Sequence, residues 1–486
     1  MGAWFRILVV WQRDVEPMRI LVINPPSPVH LGSPLLGQQY VVAALRAHGC
    51  DVRVIDASAR RVRFTADEII AIAEDWQPDV IGMSLFTRWV YHAYALAKQL
   101  RGRARWLIAG GAHATSCPME SLEHGFDAVL TGEVEQSIVQ FAEFVAGRRA
   151  ADAIPGMLLR DAQGRTTLGP AAQFIEDLDS LPSPLLAQEL YDSSWYSDSG
   201  HVAIPGGMLT SRGCPARCTF CANYVTGRRL RHRSTASVVE EMEAMNRRYG
   251  TTFFPFWDDA LTANRQWLLE MSRAFETALS FPVSWFAITR ATHARPDILR
   301  AMKRAGCAAI NFGVESGDDT ILRAIKKGVT TAQVVQALEN AKAEGFTTAC
   351  NFMLGFPQES PKEIENTLRF MQRIEHLVDS FSTLGVVVPF PGTPLYDDFH
   401  FQYGFTNWWL EEKYSCWEEL AGADSDYYRR QYIDDANLDL DFFRYTEEHR
   451  ALIRECLRFK AEHNLRRMGI NPETTVVAER VAAWLP

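Results

Sequence analysis

Three cysteines lie close together in a sequence of 486 residues that contains nine. Cys214, Cys218 and Cys221 are spaced by four and three residues, directly after a short predicted strand. Thiolates are the usual protein ligands of iron–sulfur clusters, and one compact loop can place three of them around one face of a cubane. The spacing therefore predicts a [4Fe–4S] cluster bound by these three residues.

The lack of a fourth nearby cysteine indicates what such a cluster would do. Three ligands leave one iron open to a chelating molecule, whereas an electron carrier usually ligates all four irons. A structural zinc site would also need a fourth ligand, and the nearest imidazole is that of His232. A catalytic cluster is favoured, and a zinc or electron-transfer centre is the alternative.

The segment 211–221 resembles the hallmark loop of the radical S-adenosylmethionine (SAM) superfamily, including Phe220 before the third cysteine. The resemblance extends over residues 205–395. It implies that the three thiolates hold the cluster and that SAM chelates the fourth iron through its amino and carboxylate groups. It also implies reductive cleavage of SAM to a 5′-deoxyadenosyl radical, with the electron coming from an external donor of the flavodoxin or ferredoxin type.

Alternating strands and helices must position these residues, and they predict an α/β protein. Five βα units within residues 18–150 predict a doubly wound, flavodoxin-like sheet. Six βα repeats within 205–395 predict a partial TIM-type barrel, whose chemistry lies at the C-terminal ends of the strands. Residues 1–17 are interpreted as an extension, 151–204 as a linker interrupted by proline and glycine, and 396–486 as a mostly α-helical tail that contacts the substrate.

The resemblance also assigns cofactor contacts to the ends of the predicted barrel strands. Asp258 and Asp259 end the second strand, and a carboxylate can accept hydrogen bonds from the ammonium group of SAM; capping the next helix is the alternative role. Lys327 lies where relatives carry a cation for the SAM carboxylate, and a solvated lysine is the alternative. The other candidates, at the ends of later strands, are Arg290, Glu315, Ser316 and Gly355. The segment 354–359 around Gly355 resembles the one whose backbone contacts the adenine of SAM in relatives.

The N-terminal half resembles the cobalamin-binding domain that precedes many radical SAM barrels. The elements that carry the resemblance are Asn24-Pro25-Pro26, Ser84, Leu85, Gly110 and Gly111. In relatives such small residues line the pocket for the nucleotide tail of cobalamin. The loop that supplies a histidine to cobalt in mutases is absent, and His30 matches it weakly. A domain that packs on the barrel without binding a corrin is the alternative.

Two cofactors of this kind predict methylation of an unactivated carbon in a small molecule or lipid. The radical would remove a hydrogen atom, and the carbon radical would take a methyl group from methylcobalamin. A radical cyclase, dehydratase or rearrangement enzyme is the alternative, followed by a non-catalytic electron-transfer protein. The aromatic residues of the tail either close over the substrate or pack as a helical layer: Trp408, Trp409, Tyr414 and Trp417.

The composition restricts the partners. A net charge of −9 argues against nucleic-acid binding, which needs concentrated positive charge. The one basic run is Arg228, Arg229, Arg231 and Arg233, which is either a solvated approach to a helix or an anion site. No apolar run approaches the ~18–20 residues of a membrane span, and nine scattered cysteines fit a reducing compartment. We therefore expect a soluble, cytoplasmic enzyme.

Overall fold

The computed structural model describes residues 16–27, 31–59, 61–62, 64–161, 163–196, 207–414, 437–467 and 469. The predicted N-terminal extension thus lies almost entirely outside the described residues, and so do His30 and Trp417. The described part of the chain contains a seven-stranded, mostly parallel sheet, a five-stranded parallel sheet, a small two-stranded antiparallel sheet and a helical C-terminal region.

The first sheet has the predicted flavodoxin-like topology. Its parallel strands are β1 (Arg19–Asn24), β2 (Asp51–Asp56), β3 (Val80–Ser84), β4 (Trp106–Gly110) and β5 (Ala128–Leu130), in the spatial order 2-1-3-4-5. Strands covered on both faces consist largely of apolar residues, and five of the six residues of β1 are buried. The helices around this sheet are α1 (Leu36–Ala47), α2 (Ala66–Trp76), α3 (Val90–Leu100), α4 (Ala112–Ser116), α5 (Pro118–Glu123) and α6 (Glu135–Val145).

A hairpin extends this sheet beyond β5, within the segment interpreted above as a linker. β6 (Met157–Arg160) pairs antiparallel with β5, and β7 (Thr166–Leu168) pairs antiparallel with β6. The later part of the segment also packs on the domain, since the Tyr196 hydroxyl donates to Asp56 Oδ2 at 2.7 Å. These strands escape prediction because they have only four and three residues and are surrounded by glycine and proline.

The second sheet is the predicted partial barrel. Its parallel strands, in spatial order, are β10 (Phe253–Pro255), β11 (Ser284–Thr289), β12 (Cys307–Glu315), β13 (Thr347–Leu354) and β14 (Ser380–Val386). The predicted first barrel strand is reduced to one parallel bridge between Met208 and Phe256. After it, β8 (Ser211–Arg212) pairs with β9 (Arg231–His232) in the small antiparallel sheet. The barrel helices are α7 (Thr235–Tyr249), α8 (Arg265–Ala278), α9 (Pro296–Arg304), α10 (Asp319–Ala324), α11 (Thr331–Ala343) and α12 (Pro361–Ile374).

The C-terminal region is helical as predicted, with α13 (Pro394–Tyr403), α14 (Asn437–Leu440) and α15 (Glu447–Arg467). The Asn464 amide on α15 both accepts from the backbone N–H and donates to the carbonyl of Phe381, at 3.0 Å each. Because β14 is an edge strand, this pairing satisfies backbone groups that a neighbouring strand would otherwise bind. None of the described helices is long and apolar enough to cross a bilayer.

The tail aromatics that the structure describes form a packed layer. Trp408, Trp409 and Tyr414 are each at most 9% exposed. The Trp408 ring lies 5.1 Å from that of Phe442, and Tyr414 stacks on the same ring at 5.3 Å. These three residues therefore pack as a layer, and closure of the tail over the substrate stays a prediction.

Candidate functional site

The three predicted cluster ligands lie in one loop between β8 and β9, which close it at its base. The Cys214 backbone N–H donates to Gly227 O at 3.0 Å across the loop. The Asn223 side chain donates to Cys214 O at 3.2 Å and to Ala216 O at 3.3 Å. These hydrogen bonds fix the backbone that carries the first thiol.

The chemistry of the thiols fits an iron–sulfur cluster. Cys214 and Cys218 are half-buried and Cys221 is exposed as a residue. Burial, with smaller contributions from the two other cysteines, raises the pKa of Cys221 to about 11. The three sulfur atoms are therefore close enough to repel one another as thiolates, and bound iron would relieve that repulsion. The described residues do not gather three His, Cys, Asp or Glu side chains around one ion-sized point, whereas in a cluster each thiolate binds a different iron.

The two aspartates that follow β10 accept hydrogen bonds from residues at the ends of the cysteine loop. Asp258 Oδ1 accepts from the Thr210 backbone N–H at 3.0 Å and from the Thr210 and Ser211 hydroxyls at 2.7 and 2.6 Å. Burial raises the pKa of Asp258 to about 6. Neither aspartate is a helix cap, since Asn264 caps α8. A contact with the SAM amino group stays a prediction for both.

Asp259 has a direct structural role in the cysteine loop. Its Oδ2 accepts from the Gly213 backbone N–H at 2.9 Å and from the Thr226 hydroxyl at 2.7 Å, and so joins the two ends of the loop. Hydrogen bonds to charged groups contribute about 1.5–3 kcal/mol each. We expect Asp259→Ala to lower the iron and sulfide content after anaerobic reconstitution, and Asp259→Asn, which keeps an acceptor oxygen, to retain most of it. Full loading of the alanine variant would contradict this role.

Two further predicted residues lie against the cysteine loop. Arg290, at the end of β11, has Nη1 3.6 Å from the sulfur of Cys218. The Phe220 ring lies 5.8 Å from that of Phe356, which follows Gly355 in the chain. The loop also bonds to the barrel directly, because Thr219 N–H donates to Ile325 O at 3.0 Å. The structure thus brings the cysteines, Arg290 and the end of β13 to one edge of the barrel.

The end of β12 carries a buried ion pair. Lys327 Nζ lies 2.7 Å from Glu315 Oε1, and the two side chains are 7% and 10% exposed. The alternative of a solvated lysine is therefore wrong. Ser316 lies next to this pair, and its hydroxyl is 3.2 Å from that of Thr367 and accepts from the Asp318 backbone N–H at 3.1 Å. Contacts of Glu315, Ser316 and Lys327 with SAM stay predictions.

Gly355 ends β13 in a conformation that suits glycine alone. Its φ is +79°, and a Cβ atom there would collide with the hydroxyl of Tyr445. That hydroxyl donates to Gly355 O at 2.8 Å, so the C-terminal region contacts the segment predicted to bind adenine. Glu359 Oε2 accepts from the Gly355 and Phe356 backbone N–H groups at 2.6 and 3.0 Å. The segment is therefore held from both sides.

Glu359 makes stability depend on pH. Burial raises its pKa from an ordinary value of 4.5 to about 8. In the unfolded chain the carboxyl loses its proton at lower pH, so the free energy of unfolding falls as pH rises from about 4.5 to 8. Glu359→Gln keeps an acceptor and cannot ionise. Its free energy of unfolding should therefore rise relative to that of the native chain by at most about 1.4 kcal/mol per pH unit in this window.

Urea unfolding of the full chain at pH 5, 6.5 and 8 measures this difference. Glu363→Gln, four residues further on in the first turn of α12, is the matched control, because a hydrogen bond from Ser360 lowers the pKa of Glu363 and moves its titration below the window. Equal pH slopes for Glu359→Gln and the native chain would contradict the prediction.

The predicted cobalamin-binding residues lie together at the C-terminal edge of the first sheet. Ser84 pairs with Gly110 across β3 and β4, and Leu85 N–H donates to Gly110 O at 2.8 Å. A Cβ atom on Gly111 would lie 2.9 Å from Leu85 O, so a side chain there would separate the two loops. The small residues therefore allow close contact between strand ends, and their contact with a nucleotide tail stays a prediction.

A buried polar network lies next to this edge of the sheet, and the sequence does not predict it. The His113 ring is fully buried, and its Nε2 lies 3.1 Å from Glu120 Oε1 and 3.1 Å from the Tyr94 hydroxyl. Trp409 Nε1 donates to the same carboxylate at 2.9 Å. The network joins the N-terminal domain to the C-terminal region, and no local pattern in the sequence predicts a contact between residues so far apart.

The basic run is neither a solvated approach to a helix nor a single anion site. Arg231 and Arg233 are 4% and 8% exposed. Arg231 bonds to Glu133, and Arg233 Nη2 lies 2.9 Å from Glu241 Oε2. The other two arginines of the run, Arg228 and Arg229, are exposed. Half of the run therefore lies on the surface, and the other half forms buried ion pairs.

Comparison with known proteins identifies both halves of the chain. The family model of the radical SAM superfamily matches residues 208–371, and that of the B12 binding domain matches residues 29–142. An uncharacterized methyltransferase of Pyrococcus horikoshii is 30% identical over 395 residues, which cover 79% of this chain and 83% of that protein. The anaerobic magnesium-protoporphyrin IX monomethyl ester cyclase of Rubrivivax gelatinosus is 25% identical over 467 residues, which cover 91% and 82%.

The cobalamin-dependent SAM radical enzyme OxsB, solved with aqua-cobalamin and SAM bound, has the same fold. Its TM-score is 0.69 at 15% identity, and the match covers 96% of this chain and 75% of that one. The two domain matches identify a [4Fe–4S] cluster and SAM as cofactors of the barrel and cobalamin as the cofactor of the N-terminal domain. The chain belongs to the radical SAM superfamily, in the group whose barrel is preceded by a B12-binding domain.

Proposed function

We propose that this protein is a cobalamin-dependent radical SAM methyltransferase that adds a methyl group to an unactivated carbon of a small molecule. When bound, the reduced cluster supplies the electron that cleaves SAM to a 5′-deoxyadenosyl radical, and cobalamin supplies the methyl group. The protein itself must hold the two cofactors and the substrate in one water-poor cleft, so that the radical meets the substrate and not solvent.

One observation supports this most strongly: the cysteine loop directly contacts the strand-end segment of the B12-binding domain. The Arg231 side chain, which follows the cysteine loop on β9, donates to Glu133, which follows β5 of that domain. Within the loop, the Tyr224 ring lies against Gly392, as does the Ser116 side chain at the end of α4. The two predicted cofactor sites therefore open toward a common boundary, as methyl transfer between them requires.

Within that arrangement we assign SAM to the strand ends of the barrel. Arg290 Nη1 lies 3.6 Å from Cys218 Sγ, and this side chain would orient the cofactor carboxylate. Gly355 and Phe356 would present backbone to the adenine, while Glu359 and Tyr445 hold that backbone in place. A one-electron donor of the flavodoxin or ferredoxin type would reduce the cluster from outside.

Following the methyl group of SAM tests the proposal. The full chain is reconstituted anaerobically with iron, sulfide and hydroxocobalamin, reduced with dithionite, and given SAM with a deuterated methyl group. A methyltransferase should release about one S-adenosylhomocysteine per bound cobalamin without substrate, with the deuterated methyl recovered on the cobalamin. Failure to form S-adenosylhomocysteine while 5′-deoxyadenosine accumulates would reject the proposal.

The same outcome would favour the second candidate, a radical cyclase or rearrangement enzyme. The specific observation behind it is the cyclase relative, whose match covers 91% of this chain. A cyclase consumes the radical without transferring a methyl group. Product analysis thus separates the two candidates in one reaction.

A further inference from the structure

Two buried arginines flank the cysteine loop. Arg212 directly precedes it on β8 and Arg231 follows it on β9, and the two residues pair with each other across the small sheet. They are 6% and 4% exposed. Burying a guanidinium is costly unless its charge is paired, so the partners of these two residues are informative.

Both partners come from the B12-binding domain. Arg231 Nη1 and Nη2 donate to the two carboxylate oxygens of Glu133 at 2.7 Å each. Arg212 Nη2 donates to Glu135 Oε1 at 2.6 Å, and its Nη1 lies 3.7 Å from Glu133. Glu133 follows β5, and Glu135 begins α6. The two ends of the cysteine loop are thus each joined to the same edge of the first sheet.

The residues around this four-residue cluster supply further contacts to both arginines. Arg231 also donates to Ile175 O at 2.6 Å and to Thr226 O, within the loop, at 2.7 Å. The Arg212 guanidinium lies 5.1 Å from the ring centroid of Tyr40. A guanidinium held by two parallel hydrogen bonds has a fixed direction as well as a fixed distance. Arg231 is held in this way by Glu133, and the single hydrogen bond of Arg212 to Glu135 at a separate point restricts rotation of the loop about that pair.

We propose that Arg212, Arg231, Glu133 and Glu135 are positioning residues that set the spacing between the iron–sulfur cluster and the cobalamin. A pair that merely joined two domains could lie anywhere in their interface, whereas these pairs lie at the two ends of the loop that carries the cluster. The inference depends on both cofactors being bound and not on the fate of the methyl group, so it stands or falls separately from the proposed reaction.

Electron paramagnetic resonance tests the spacing without any substrate. The reduced cluster and cob(II)alamin are both paramagnetic, and two spins held close together split or broaden each other's signals. The holoprotein, loaded with both cofactors and reduced, should show one well-defined interaction on the cob(II)alamin signal. In the Glu133→Gln variant, molecules that retain both cofactors should show a broadened splitting of the cob(II)alamin signal or none, because Arg231 no longer has a bidentate partner.

A second variant separates an effect on the spacing of the cofactors from an effect on folding. Arg212→Met combined with Glu135→Leu removes one tie and leaves no buried charge, a type of exchange that folded proteins tolerate well. Asp297→Asn is the matched control, since it breaks an exposed ion pair with Arg265 on the outside of the barrel. We expect the paired variant to lose the native splitting and the control to keep it. Unchanged splitting in both test variants, or no interaction in the native holoprotein, would overturn the proposal.

Discussion

A Cys218→Ala variant is expected to lose the [4Fe–4S] cluster and all formation of 5′-deoxyadenosine. Cys218 is the middle ligand of the loop, and its sulfur lies 3.6 Å from Arg290. No fourth cysteine lies nearby in the sequence to replace it. Two thiolates cannot hold three irons of a cubane, so iron and sulfide content should fall toward that of unreconstituted protein, and SAM cleavage should fall to background.

Cys50→Ala provides the matched control for this loss. Cys50 is also a half-buried free thiol, but it lies just before β2 on the first sheet. Burial raises its pKa to about 11. The control should load iron normally and cleave SAM at the native rate. A Cys218→Ala protein that still cleaves SAM would show that this loop is not the cluster site.

Patterns along the sequence predict the parts of the fold that depend on neighbouring residues. The short apolar runs that become β1 and β3 have buried residues on both faces, so the parallel sheet follows from composition alone. The cysteine spacing is likewise local. The hairpin of β6 and β7 is not predictable in this way, because its short strands form by pairing, β6 with β5 and β7 with β6.

The ion pairs that tie the site together depend on distance in space. Glu133 and Arg231 are 98 residues apart, and no local pattern in the sequence pairs them. The basic run suggests a surface feature because clustered arginines are usually solvated, yet two of its four members are buried. Likewise, Asp259 is recognisable as a strand-end carboxylate, but its bonds to Gly213 and Thr226 follow only from how the loop folds back.

The ion pair of Glu315 and Lys327 gives the other large expected effect. Removing one member of a buried pair leaves the other charge without compensation, at a cost of about 3–5 kcal/mol. We therefore expect Lys327→Ala to lower the free energy of unfolding by that amount, measured by urea denaturation at neutral pH. Glu315→Gln combined with Lys327→Met leaves no charge behind and should recover most of the loss.

The paired variant also separates two roles of Lys327. If the lysine only neutralises Glu315, then the stable Glu315→Gln, Lys327→Met protein should bind SAM with native affinity, measured by the change that SAM causes in the spectrum of the reduced cluster. If Lys327 also contacts the SAM carboxylate, stability should recover while SAM binding stays weak. We expect native-like affinity, because Nζ is already engaged by Glu315 at 2.7 Å and Arg290, which lies 3.6 Å from Cys218 Sγ, can bind the carboxylate; weak binding would assign the carboxylate to Lys327 instead.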